Sequence, residues 1–174
     1  MTLRPIAPED FDDIHAYMGR DDVATWLLED AYSVQKSTEV HPSYCQRVRF
    51  DDDGDTILLA IELDHRVVGD LDFTARSMHD GLVEIGWRVH PDHQGRSLAT
   101  EAATLLLDLA FHEIGAHRAV ASLDVRHLAS VGVCERLGIR REAHHVQDLW
   151  FKGGWADTYV YAALASQSWA RPHP

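Results

Sequence analysis

The sequence predicts a mixed α/β domain built on a mostly antiparallel sheet of six to seven strands, with helices on both faces. Three observations carry this prediction. Residues 56–90 hold three strand patterns joined by short turns, which is the sign of an antiparallel meander. Residues 98–114 then change to a helical period, and a strand pattern follows at 118–125, so a parallel pairing enters the sheet. Two last strand patterns flank Lys152-Gly153-Gly154 and close the chain as a hairpin.

Taken in order, residues 2–7 form a short strand stopped by Pro8. Pro8-Glu9-Asp10 opens a helix, with acids in its first turn and Phe11, Ile14, Tyr17 and Met18 at helical spacing. Residues 21–32 continue as a helix or irregular segment, and 33–50 contain another helix around Pro42. The mostly apolar TILLAIEL at 56–63 reads as a strand, with a turn at 64–66 and a second strand at 67–75. In residues 82–90, Val83, Ile85, Trp87 and Val89 alternate with Glu84, Gly86, Arg88 and His90; a period of two marks a strand. Pro91 ends it. In 98–114 the polar residues Glu101, Thr104, Asp108 and His112 fall on a narrow stripe, so this helix lies largely buried against a sheet. Gly115 stops it. A short helix at 128–137 closes at Gly138, strands follow at 144–151 and 155–163, and 166–174 is a polar tail.

With 174 residues, 45% hydrophobic and 25% charged, the chain suits one soluble domain, residues 1–174, with a real core. No run is long enough to cross a bilayer and no leader pattern opens the chain, so a cytoplasmic location and no membrane partner are expected. The two cysteines and scattered histidines give neither a disulfide framework nor metal-ligand spacing, so no metal is expected. Charge is uneven. Residues 1–87 hold 19 acidic and 7 basic residues, whereas 88–174 hold 9 of each. An acidic surface disfavours nucleic acid and favours a cationic partner such as an amine.

Between the strand at 82–90 and the following helix lies Gln94-Gly95-Arg96-Ser97-Leu98-Ala99. A short turn of small residues feeding a helix N-terminus leaves backbone N–H groups unpaired, and these donors with the helix dipole suit a pyrophosphate. Gln94-x-x-Ser97-x-Ala99 resembles the acyl-CoA pyrophosphate loop of the GNAT N-acetyltransferases, Gln/Arg-x-x-Gly-x-Gly/Ala. The flanking EIGW and ATEA resemble the branch that includes the Rim-type ribosomal-protein N-terminal acetyltransferases. The resemblance runs from Leu3 to Tyr161. Ser97 stands where that family has glycine; it keeps the N–H donor, and its hydroxyl is a candidate helix cap.

The resemblance implies a GNAT-like fold and transfer of an acetyl group from acetyl-CoA to an amine, either a small molecule or a protein N-terminus. Residues 1–55 are then a helical acceptor-site region and 56–165 the sheet and CoA-binding core. It further implies that the central strand and the strand at 118–125 splay apart, with the thioester arm bonding the free edge at Trp87, Arg88 and Val89. Gln94, Gly95, Arg96, Ser97, Leu98, Ala99 and Thr100 would hold the diphosphate, and Arg136 the nucleotide 3′-phosphate. His127 stands where the family has an asparagine that contacts the pantetheine arm. A homodimer through the last strands is also implied.

Amine transfer needs a base, because an ammonium has no lone pair. Glu84 on the central strand is the candidate, with Asp148 and His145 as competitors on the strand expected to face the gap. The N–H of Val89 is the expected oxyanion donor. His127-x-x-Ser130 resembles the family's Asn-x-x-Ser, which makes Ser130 the hydrogen-bond donor to the leaving sulfur. Trp26 and Tyr32 are candidate acceptor contacts, with Asp148 beside them. Two other readings share the fold: a module that binds acyl-CoA without turnover, prompted by Ser97 and His127, and a longer-chain acyltransferase of siderophore assembly.

Overall fold

The apolar residues of the strand segments are buried in a single sheet covered by helices on both sides. The computed structural model describes residues 1–167; of the polar tail expected at 166–174, the part from Ser168 onward lies outside the described residues. The strands are β1 (Thr2–Pro5), β2 (Thr56–Leu63), β3 (Arg66–Ser77), β4 (Leu82–Val89), β5 (Arg118–Asp124), β6 (Arg140–Phe151) and β7 (Gly154–Leu164). They form one seven-stranded sheet in the order β1-β2-β3-β4-β5-β7-β6, antiparallel except for the β4–β5 pair. The fold is the mixed, mostly antiparallel α/β architecture that the pattern predicts.

One face of the sheet is covered by α4 (Leu98–Asp108) and α5 (Leu128–Leu137). Their side chains Ala102, Leu106, Leu107, Val133 and Leu137 pack with Phe73, Val83, Ile85, Ala119 and Ala121 in the larger core. The other face is covered by α1 (Phe11–Met18) and α3 (Val34–Cys45), joined through the short α2 (Asp21–Ala24). There Ile14, Tyr17, Met18, Tyr32 and Tyr44 pack on Leu58, Ala60 and Val67. Ser33 starts α3 by accepting a hydrogen bond from the Lys36 N–H at 3.1 Å, as an N-cap serine does. The first 55 residues are not purely helical territory: β1 pairs with β2, Leu3 opposite Ile61. Asp10 fastens that edge. Its carboxylate accepts from Arg4 at 2.7 and 2.8 Å and from the Ala7 N–H at 2.8 Å. Burial opposes the Asp10 charge, yet these donors hold its carboxyl below the usual range.

The helix expected at 98–114 changes character at its end. Residues Leu109–Glu113 form a π-helical turn, in which the Ile114 N–H reaches back to the Leu109 carbonyl at 3.0 Å. β6 begins at Arg140, four residues before the expected start. β4 and β5 are hydrogen-bonded only where Leu82, Val83 and Glu84 face Arg118, Ala119 and Val120. Beyond that the strands part, so residues 85–89 have an open edge on the β5 side.

Candidate functional site

The open edge of β4 has defined donors and acceptors. The His90 N–H donates to the Val68 carbonyl at 2.8 Å, so His90 faces β3. Successive backbone groups alternate sides along a strand, which turns those of Trp87 and Val89 toward the gap. The Gln94 side chain donates to the Val89 carbonyl at 3.0 Å, tying the following loop to the strand end. The Val89 N–H has no partner among the described residues and points into the gap. The expected splay is therefore present.

Pro91–His93 makes one 3-10 turn, and its last bond uses the Gln94 N–H, which donates to Pro91 at 3.1 Å. The next N–H groups, from Gly95 through Thr100, donate to no partner among the described residues. Gly95 and Ser97 both adopt left-handed backbone, φ +72° and +62°. Alternation of such residues turns consecutive N–H groups into one concave nest, at the positive end of an eleven-residue helix. Ser97 thus takes the conformation for which glycine is ordinarily used. Its hydroxyl makes no cap bond to α4, contrary to the expectation above, because a left-handed N-cap residue aims its side chain away from the first turn. Arg136 on α5 donates to the Thr100 hydroxyl at 3.1 Å, and exposed Arg96 lies in the loop itself. Two cations therefore flank a row of unpaired donors. The residues present fit a diphosphate.

α5 follows directly on the diverging end of β5. Ser130 lies in its first turn, 7% exposed, with its N–H donating to the His127 carbonyl at 3.0 Å. His127 caps no helix with its side chain. Its ring instead stacks on Trp26, centroids 4.5 Å apart and planes 7° from parallel, and burial lowers its pKa below the ordinary imidazole value. Trp26 also lines a cleft of about 480 Å³ with Asp21, Asp30, Arg126, Phe151 and Lys152. Lys152, at the β6–β7 turn, donates to the Glu29 carbonyl and to Asp30 at 3.1 and 3.2 Å, which latches the hairpin to the 29–30 loop. Arg126 is paired with Asp124 at 2.9 Å. Asp21 is left as a cleft carboxylate without an ion pair among the described residues.

Three expected residues stand elsewhere. Tyr32 is 6% exposed in the α1–α3 core, its hydroxyl bonded to Glu29 and Tyr44, so it does not line the cleft. Asp148 and His145 are exposed on β6. β6 is the outer edge, and β7 separates it from β5, so neither residue faces the gap. Glu84 sits on the face under α1 and α3, but Arg76 donates to it at 2.5 Å, and its place opposite Val120 is in the closed part of the β4–β5 pair.

A row of charge on β3 was not foreseen. Asp70, Asp72 and Thr74 pair in register with Arg88, Gly86 and Glu84. Asp70 is 1% exposed and accepts from the Tyr17 hydroxyl at 2.5 Å and from the Arg88 Nε at 2.8 Å. Burial works against the Arg88 charge, and Asp70 more than offsets this, so its pKa stays well above the ordinary value. Asp72 is half-buried and accepts no hydrogen bond from the described residues. Its carboxylate lies over β4: a Cβ on Gly86 would fall 2.9 Å from the Asp72 Cγ. Burial raises the Asp72 pKa, as do Asp70 and Glu84, against the pull of Arg88 and Arg47. Two acids on one face of an otherwise apolar strand, GDLDFT, were the available signal.

The sequence pattern of the Acetyltransferase (GNAT) domain matches residues 1–140. The Uncharacterized N-acetyltransferase YnaD of Bacillus subtilis is 33% identical over 84 residues, 48% of this chain and 49% of that protein. The chain spans about half the length of the first curated relatives it matches. The acetyltransferase (GNAT family) from Bacillus anthracis superimposes with a TM-score of 0.83 at 23% identity, covering 95% of each chain. Spermidine N-acetyltransferase from Vibrio cholerae, solved with CoA and spermine, superimposes with a TM-score of 0.79 at 20% identity, again over 95% of each. On the domain match, with the fold and the splayed sheet in agreement, this chain belongs to the GNAT acetyltransferase domain family.

Proposed function

We propose that this chain transfers the acetyl group of acetyl-CoA to a primary amine by direct attack within a ternary complex. The observation that carries the reading is the row of unpaired N–H groups from Gly95 to Thr100, in line with the open edge of β4. The diphosphate docks on that row between Arg96 and Arg136, and the pantetheine arm runs along Trp87 and Val89. The thioester carbon then lies near the Val89 N–H, which donates to the oxyanion as it forms. The amine nitrogen bonds to that carbon, the carbon–sulfur bond breaks, and the electron pair leaves with sulfur. Ser130, in the first turn of α5, donates a hydrogen bond to the departing thiolate. His127 lines the arm in place of the family's asparagine.

The cleft walled by Trp26, Asp21 and Asp30 receives the acceptor. A free carboxylate there, with the acid excess of the first half of the chain, favours a small polycationic amine over a protein N-terminus of the kind acetylated by the Rim-type branch. The spermidine acetyltransferase among the structural neighbours supports the same choice. Ser97 already holds the left-handed backbone the loop needs, which removes one reason for reading the chain as a non-catalytic binding module.

The test is thiol release from acetyl-CoA in the presence of spermidine, an aminoglycoside and a peptide with a free N-terminus. Turnover is expected with at least one amine and is expected to be fastest with spermidine. Binding of CoA without turnover on any amine would overturn the transferase reading, and preference for the peptide would overturn the choice of acceptor.

A further inference from the structure

The geometry points to Asp72 as the proton acceptor for the attacking amine. This inference rests on the acetyl-transfer reading and adds the group that makes the nitrogen nucleophilic. Of the carboxylates on the inner row of β3 and β4, Asp70 is held by Tyr17 and Arg88, and Glu84 by Arg76. Asp72 alone has no donor among the described residues. A half-buried carboxylate without donors is costly unless a ligand supplies one. It also has the right placement. Asp72 is opposite Gly86, and because Gly86 has no side chain the carboxylate leans across β4. Residues 85–89 of that strand form the edge proposed to receive the thioester. Adjacent strands lie about 5 Å apart, and Gly86 is three residues, roughly 10 Å, along β4 from Val89, so the proton passes from the nitrogen to Asp72 through ordered water rather than directly.

The acceptor ammonium gives one proton to Asp72, leaving a lone pair. That pair forms the nitrogen–carbon bond as the carbon–sulfur bond breaks. The second proton lost from nitrogen goes to the thiolate, so CoA leaves as the thiol, and Asp72 returns its proton to solvent. The groups facing Asp72 set its basicity: Asp70 on its own strand, Glu84 and Arg88 on β4, Arg47 after α3, and Tyr17 of α1 through Asp70. Burial with the two acids outweighs the two arginines, so the carboxylate is a stronger base than an exposed aspartate.

The experiment compares wild type with Asp72→Asn, Asp72→Glu and Gly86→Ala, using the amine turned over fastest by wild type. Steady-state rates are followed across pH, CoA affinity by calorimetry and folding by thermal melting. Asp72→Asn is expected to lower kcat about 100-fold or more. CoA affinity should stay within about threefold, since Asp72 lies on the far side of β4 from the diphosphate nest. Activity in wild type needs ionised Asp72, so it falls as pH drops through its raised pKa, and that acid limb should vanish in Asp72→Asn. Asp72→Glu should restore part of kcat together with the limb. In Gly86→Ala the new methyl displaces the carboxylate and should lower kcat about tenfold, a result that decides the point even if Asp72→Asn loses its melting transition. Asp72→Asn with kcat within about threefold of wild type, or with the limb unchanged, would overturn the role of Asp72 alone. A wild type that binds CoA and turns over no amine would instead overturn the acetyl-transfer reading, and this inference with it.

Discussion

Asp70→Ala is expected to destabilise the fold by about 3–5 kcal/mol, the cost of leaving a buried charge without its partner. Asp70 is 1% exposed and is the shared acceptor for Tyr17, itself fully buried, and Arg88. Removing the carboxylate strands both donors at once, Tyr17 fully buried beneath α1 and Arg88 mostly buried beside it. Burial and the neighbouring Asp70 charge already hold the Tyr17 hydroxyl well above its ordinary pKa, so it stays a donor at any physiological pH. Tyr17→Phe removes only one bond to a charged group and should cost less, about 1.5–3 kcal/mol. Urea melts of the two variants measure the difference. In a domain of this size the larger loss lowers Tm by roughly 10 °C or more. A loss below about 1 kcal/mol for Asp70→Ala would mean that the cluster does not pin α1 to the sheet.

Ser97→Pro should abolish tight CoA binding, by about 100-fold or more in Kd. Proline fixes φ near −65°, whereas the loop requires +62° at this position, and proline also deletes one N–H of the row. Losing the alignment of even two charge-assisted bonds removes about 3 kcal/mol, which is that factor in Kd. Ser97→Gly is the matched control. It keeps the N–H and relieves the side chain of a conformation that costs an L-residue about 1–2 kcal/mol, so stability should rise by roughly 1 kcal/mol with affinity retained. Calorimetric titration with CoA, beside thermal melts, reads both. A Ser97→Pro chain that binds CoA as wild type does would move the diphosphate away from this loop.

Local chemistry made much of the fold legible. The strand at 56–63 and the helix at 128–137 have the expected bounds because turn residues and glycine punctuate clean periods on either side. The turn at 94–97 feeding α4 was legible for the same reason: proline, glycine and a helix start fall within a few residues. What was hidden depends on long-range pairing. Strand order cannot be read from a local pattern, so Asp148 and His145 were expected at the gap although β7 inserts between β6 and β5. The start of β6 at Arg140 was missed because an exposed edge strand has no buried face to impose alternation on Arg140, Arg141 and Glu142. Tyr32 was misplaced because burial of an aromatic in an irregular segment follows from α3 folding over it. Asp72 went unseen for a related reason. Its environment is made by Gly86 and Arg88, fourteen and sixteen residues away, and only the β3–β4 register brings them together.

The most direct measurement is an amide-resolved NMR titration of the chain with acetyl-CoA. Docking of the diphosphate on α4 and of the arm on β4 predicts that the amides of residues 95–100, and with them Trp87 and Val89, move together at one equivalent of ligand. Saturating acetyl-CoA that leaves those resonances in place, or shifts a separate set elsewhere on the sheet, would contradict it.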